Sequence, residues 1–293
     1  MFRVLVATLA GAALAVSIAA DSRSMLRVER TSPGDLEVGG ELRGLPRGST
    51  RYLRYEDLLR LPQQSYTVSN DSNLPRNTVI SGVGLDALAQ RLGARPDSIL
   101  IVAICDDQYR ANYPRDYIAE HHPLLVLRIN GRLRDHWPPA NDGGALGPYL
   151  ISHPFFKPAF KVLSHEDEPQ LPYGVTRIEL RRESEVLRAI RPPGNSAADL
   201  PVEQGYLIAR QDCFRCHNVG SEGGLKAGRT WLQLAAIAQS DPLRFRQIVR
   251  DPSSVTPGAK MPGQPAYDNA TLIALTEYFK SFSISAAGKR SSP

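Results

Sequence analysis

The sequence predicts two domains: an α+β, mostly β domain over residues 21–190, and an all-α domain over residues 201–283. Three observations lead there. The 293-residue length exceeds one small domain. The first part alternates short apolar runs with turn residues, whereas from Leu200 onward apolar positions recur at helical spacing. Between them lies Arg191-Pro192-Pro193-Gly194-Asn195-Ser196, the sharpest break in composition, so a linker is expected at 191–200. With 42% hydrophobic and 22% charged residues the chain is ordinary globular protein, which excludes bulk disorder.

Residues 1–20 have the form of an export signal. Arg3 is the only charge, Val4 to Val16 form an apolar and small-residue core, and Ser17-Ile18-Ala19 has the small-x-small pattern of a cleavage site. The mature chain is expected to start near Asp21. The apolar stretch is shorter than the roughly 20 residues of a membrane span, and no later segment approaches that length, so a soluble, exported protein is expected.

Within the first domain, residues 21–50 read as an irregular lead-in with one short strand. Tyr55–Leu61 is a short helix stopped by Pro62, and Ser65–Val68 a strand. Gly84–Leu92 places Leu85, Leu88, Ala89 and Leu92 on one helical face and ends at Gly93. Ile99–Cys105 and Leu124–Ile129 are apolar strands, the second closed by the turn pair Asn130-Gly131. The Pro-rich stretch 138–158 reads as loop. Val175–Leu180 is a last strand with alternating charge. In the second domain, Val202–Arg210, Trp231–Ala238, Pro242–Val249 and Leu272–Phe282 are the expected helices, with a flexible tail at 284–293.

The residues that carry chemistry are Cys213-Phe214-Arg215-Cys216-His217. C-x-x-C-H is the spacing that attaches a c-type haem: two thiols about one helical turn apart add across the vinyl groups, and the adjacent imidazole reaches the iron. Half of a zinc site would need a second ligand pair, and the chain has no other C-x-x-C and no H-x-x-x-H. A thioredoxin-like pair would have no use for the His. The second domain holds one other soft ligand, Met261, in Ala259-Lys260-Met261-Pro262, forty-four residues past His217. A thioether there would complete His/Met ligation and leave iron no open position. His121, His122, His136, His153 and His165 of the first domain are the competing candidates. The third cysteine, Cys105, reads as a buried structural thiol.

Charge is uneven. Residues 21–199 balance 23 Lys and Arg against 23 Asp and Glu, while residues 200–293 carry 11 against 7. An acidic docking partner is the expectation. No basic patch interleaves with aromatics, so nucleic acid is not an expected partner.

Residues 201–283 resemble the class I cytochrome c family, whose first and last helices cross near a Gly and an aromatic. Gly205 and Tyr206 against Tyr278 and Phe279 match that pattern, and Met261-Pro262 resembles the family's distal loop. The resemblance implies one covalent haem c held by Cys213 and Cys216, with His217 and Met261 axial, and attachment outside the cytoplasm, hence a periplasmic location.

Residues 51–182 are similar to the molybdopterin-binding fold of the sulfite oxidase family. Tyr55–Pro62, Gly82–Leu92, Asn130-Gly131 and Val175–Leu180 carry the likeness, and the family's Asp-Gly-Tyr is altered here to Asp106-Asp107-Gln108-Tyr109. In that family a Cys at the end of an early strand ligates molybdenum. The matching stretch Ser65–Ile80 has none, Cys105 lies past the following helix, and the Arg and His that would hold the pterin phosphate are few. The expectation is a domain that kept the fold and lacks the molybdenum cofactor. Asp106-Asp107 is not expected to be an acid/base couple, because neighbours on a strand face opposite ways. His121-His122 and His165-Glu166-Asp167-Glu168 are expected as solvated loops.

The expected role is a periplasmic electron carrier with a docking domain rather than a stand-alone enzyme. The runner-up is a sulfite-dehydrogenase-like oxidoreductase that passes electrons to its haem. A haem-based redox sensor is the third reading.

Overall fold

The computed structural model describes residues 25–94 and 99–282. The export segment and the tail at 284–293 lie outside the described residues. The chain runs β1 (Leu36–Gly40), β2 (Arg51–Leu53), α1 (Tyr55–Leu59), β3 (Gln64–Val68), β4 (Thr78–Gly84), α2 (Leu85–Arg91), β5 (Ile99–Cys105) and β6 (Arg110–Pro114). Then come α3 (Arg115–His121), β7 (Leu124–Ile129), β8 (Arg132–Leu133), β9 (Leu150–Ser152), β10 (Lys161–Val162), β11 (His165–Glu166), β12 (Val175–Arg182) and α4 (Glu183–Arg188). The last part holds α5 (Leu200–Ala209), β13 (Asn218–Val219), β14 (Glu222–Gly223), α6 (Trp231–Ser240), α7 (Pro242–Arg250), α8 (Pro252–Val255) and α9 (Asn269–Lys280). Among the described residues no helix is long and apolar enough to cross a membrane.

Contacts gather the chain into two compact units. The first takes residues up to Asp106, Ala111–Lys157 and Pro169–Glu183; the second takes Asp107–Arg110, Pro158–Glu168 and the chain from Ser184 onward. Two short segments upstream of Ser184 therefore count with the second unit. The stretch expected as a linker holds a 3-10 turn at Gly194–Ala198. Ile190, just before it, is fully buried, and its carbonyl accepts a hydrogen bond from Tyr278 at 2.5 Å.

The first unit contains two sheets. One has the order β2-β1-β12-β5-β6; in the other β3-β4-β7-β8 are neighbours and β9 adds to β7. β12 lies parallel to β1 and antiparallel to β5. Its alternation is what the sequence led one to expect. Val175, Ile178 and Leu180 are buried, while Arg177 and Glu179 share the other face, paired with each other at 2.6 Å and with Glu37 at 2.5 Å from Arg177. β5 is buried from Leu100 to Cys105 on both faces, as an interior strand must be. Asn130 and Gly131, at φ 49° and 74°, close the β7–β8 turn.

One loop expectation is overturned here. Residues 138–158 contain β9, whose Leu150, Ile151 and Ser152 are all buried against β7. The strand is three residues long and is flanked by Pro148 and Pro154, so its pattern is masked by turn residues.

A buried polar cluster lies in this unit. The Tyr117 hydroxyl accepts from Gln170 N at 2.8 Å and lies 2.9 Å from His153 Nε2. His153 Nδ1 is buried without a hydrogen-bond partner. His121, expected in a solvated loop with His122, is instead 2% exposed and stacked on Phe156 at 4.3 Å. Only His122 is exposed, in the left-handed position that ends α3. Tyr117, one turn earlier at 4.5 Å, and Phe156 from a distant segment cover His121, and the second of these leaves no local trace.

In the second unit α5 crosses α9 with backbones in contact. A Cβ at Gly205 would lie 2.1 Å from Ala274 O and 2.6 Å from Tyr278 Cβ, so no other residue fits. Tyr206 packs on Tyr278 with centroids 5.9 Å apart, and Phe279 turns to Trp231 at 4.9 Å and Phe245 at 5.3 Å. Four helices of this unit begin at a side-chain cap: Thr230 with Gln233 at α6, Asp241 at α7, Asp251 at α8 and Asp268 at α9.

Two predictions follow from these contacts. Burial, with His121 adding to it, holds the His153 imidazole down to about 3, against 6.5 for a free ring. The unfolded chain thus binds this proton first, and stability falls as pH drops from about 6.5 towards 3. Between pH 7 and 5 the wild type should lose about 2 kcal/mol more than His153→Gln, read from urea midpoints. At the crossing, Gly205→Val should destabilise the second unit by about 1–3 kcal/mol through overpacking; an unchanged midpoint would contradict the close approach.

Candidate functional site

The cysteine motif follows α5 directly. Cys213–Arg215 form one 3-10 turn, and the amides of Cys216 and His217 both donate to Cys213 O, at 3.2 and 2.9 Å. This one-turn geometry was the expectation from the spacing. Phe214 points inward, fully buried and edge-on to Trp231 at 5.6 Å. The following strand pair and loop wrap the turn: Gly224 N donates to Phe214 O and Ala227 N to Cys216 O, each at 3.0 Å. Gly224 is required there, since a Cβ would sit 1.8 Å from Arg215 O.

Cys213, Cys216, His217 and Met261 line one cavity, partly open to solvent. Its remaining walls are mainly apolar, from Ile208, Leu234, Phe245 and Leu275 among others. The loop carrying Met261 reaches the cavity between α8 and α9. Of the five competing histidines, none lines it.

The surroundings of the motif set the protonation of its members. His217 Nδ1 lies 2.7 Å from Arg229 O, and a carbonyl only accepts, so Nδ1 carries the hydrogen and Nε2 keeps its lone pair. Burial pushes the His217 imidazole below its ordinary value, which keeps the ring neutral at pH 7. Both thiols are raised, first by burial; for Cys213 the neighbouring Asp212 charge adds to it. A reactive redox pair needs the opposite shift, a stabilised thiolate. An apolar cavity with two neutral thiols, a neutral imidazole with a free Nε2 and a thioether fits a covalently held haem.

Beside the cavity stands a second group that the sequence reading placed in solvent. His165 and Asp167 are 1% and 3% exposed, not solvated. His165 Nδ1 is 2.7 Å from the Tyr267 hydroxyl and its Nε2 is 2.6 Å from Gln211 Oε1. Ligand atoms of His165, Glu168 and Asp212 lie within 4.8 Å of one another, the spacing of a possible metal site. Their partners argue otherwise. Arg215 Nη2 lies 3.1 Å from Asp212 and 3.2 Å from Glu168, so a cation already occupies the role, and both His165 nitrogens are engaged. Burial and then the Asp212 charge push the Glu168 carboxyl up, opposed by Arg215. The signal available in the sequence was only a run of charge, which usually means a solvated face.

The remaining candidates, Cys105, Asp106 and Asp107, lie away from the cavity lining. Cys105 is 2% exposed at the end of β5, opposite Val175. Asp106 and Asp107 lie in the turn after that strand, so the argument from alternating strand faces does not apply to them. Asp106 N donates to Gly174 O at 2.9 Å. Asp107 accepts from Tyr109 N at 3.0 Å and pairs with Lys226 at 2.5 Å. These are turn-closing and ion-pairing roles.

No protein-family model matches the chain, and no curated protein matches it. Among solved structures it is similar to the crystal structure of the sulfane dehydrogenase SoxCD from Paracoccus pantotrophus. Identity is 17%, covering 53% of this chain and 40% of that chain, with a TM-score of 0.36. The chain thus spans two fifths of that protein's length, and a likeness at this score carries no argument about what this chain does.

Proposed function

We propose that the protein is an exported electron carrier with one covalent c-type haem, held in a class I cytochrome c-like domain. The observation that carries this is the convergence of Cys213, Cys216, His217 and Met261 on one apolar cavity. Haem would supply reversible one-electron transfer at iron. Cys213 and Cys216 would hold it by thioethers, and His217 Nε2 and the Met261 thioether would serve as iron ligands. Arg229 O keeps the His217 ring in the ligating tautomer, and the mainly apolar walls would favour the less charged reduced state. With two ligands from the protein, the iron would serve electron transfer rather than substrate chemistry. The proposed role of the first unit is docking, without molybdenum, because the thiol available to it is packed at the end of β5. Export to the periplasm is part of the same proposal, since thioether attachment takes place there.

The test is extraction of the purified protein with acid acetone. Pigment should stay on the polypeptide, with one iron and no stoichiometric molybdenum per chain. Met261→Ala should abolish the Met-to-iron absorption band while leaving the haem attached; a surviving band would remove Met261 from the ligand set. Extraction of the pigment would end the haem reading.

The surplus of positive charge in residues 200–293 suits an acidic partner, with the exposed Lys260 beside Met261 as the first contact. The association rate with such a partner should fall as ionic strength rises. A rate indifferent to salt in stopped-flow mixing would make the charge incidental.

A further inference from the structure

The second unit contains a hairpin that lies far upstream of the helices around it. β10 and β11 pair at Lys161–Glu166 and Val162–His165, with Leu163 at φ 55° in the turn. The turn grips the junction between the Met261 loop and α9. Ser164 N donates to Thr271 Oγ1 at 3.0 Å, the Ser164 and Thr271 hydroxyls lie 2.6 Å apart, and Asp268 N donates to Ser164 Oγ at 2.9 Å. One residue on, His165 reaches both sides of the cavity wall.

On one side is Gln211. Its amide nitrogen donates to Asp167, so its oxygen faces His165 and receives the hydrogen of Nε2. On the other side is Tyr267, which lines the cavity six residues past Met261. The Tyr267 hydroxyl donates its one hydrogen to Asp212, the residue before Cys213, so its oxygen accepts from a hydrogen on His165 Nδ1. Tyr267 thus bridges the Met261 loop to the turn that bears the cysteines, and His165 holds the bridge in place from behind. Further bonds on this loop, Gln264 N to Val249 O at 2.9 Å and Arg250 to Tyr267 O at 3.2 Å, run to α7 instead.

We propose that His165 is a positioning residue. Through Tyr267 and Asp212 it latches the Met261 loop against the cavity, and it thereby sets how firmly the thioether is presented. The latch is a matter of hydrogen bonds within the chain; only its consequence for iron ligation rests on the haem reading above.

The experiment compares full-length wild type with His165→Leu, which removes both bonds, His165→Asn, which keeps a partner for Tyr267, and Tyr267→Phe, which removes the hydroxyl and leaves the hairpin intact. Amide hydrogen exchange is followed across residues 259–267, with α5 and α9 as internal controls. The latch requires exchange in 259–267 to rise roughly tenfold or more in His165→Leu and Tyr267→Phe, with the two helices unchanged and His165→Asn closer to wild type. In haem-loaded protein the same two variants should lose or weaken the Met-to-iron band and bind added imidazole about tenfold more tightly. Unchanged exchange in 259–267 in both variants overturns the latch. Should His165→Leu not fold, Tyr267→Phe decides alone. Wild type without covalent haem would defeat the functional reading, while the exchange data would still decide the latch.

Discussion

The crossing of α5 and α9 is the constraint on which the second unit depends. Because Gly205 has no side chain, the two backbones meet at van der Waals distance, and Tyr206, Tyr278 and Phe279 can close around the contact. Everything attached to those helices is then fixed. The cysteine turn leaves the end of α5 and the Met261 loop enters the start of α9, so the crossing faces them across one cavity. A looser crossing would let the cysteine turn and the Met261 loop drift apart.

Much of this was legible in the sequence because it is local. C-x-x-C-H fixes one turn whatever surrounds it, and Met261 stood out as the one soft ligand left. The strand Val175–Arg182 showed its alternation because one face carries ladder charges and the other the core. What was hidden depends on partners far along the chain. His165 is buried by Gln211 and Tyr267, 46 and 102 positions away, and nothing in His-Glu-Asp-Glu announces them. His121 is buried by Phe156, and β9 is recognisable only once β7 lies beside it. Charge runs and proline-flanked triplets signal exposure on average, and tertiary pairing overrides that average.

Both units bury polar groups that lack partners. In the second, Arg215 answers Asp212 and Glu168, Tyr267 donates to Asp212 and Gln211 to Asp167, while the Trp231 ring nitrogen is buried without a hydrogen-bond partner. In the first, His153 keeps an unsatisfied nitrogen and Asp71 is buried with only a serine and a backbone amide for partners, its carboxyl pushed up by burial. An unsatisfied buried nitrogen lowers stability by about 1–3 kcal/mol. The two first-unit groups act in opposite senses in acid: His153 binds its proton more weakly in the fold and destabilises it as pH falls, whereas Asp71 binds its proton more tightly in the fold and stabilises it.

The hairpin at 161–166 has one more consequence, in the order of folding. Joining His165 to Tyr267 closes a loop of 102 residues. In a chain without other structure, closure on that scale costs about 4 kcal/mol of entropy. Three or four hydrogen bonds, each worth about 1 kcal/mol net, barely offset it. The contact cannot nucleate anything. It forms after the helices and sheets have drawn its two ends together.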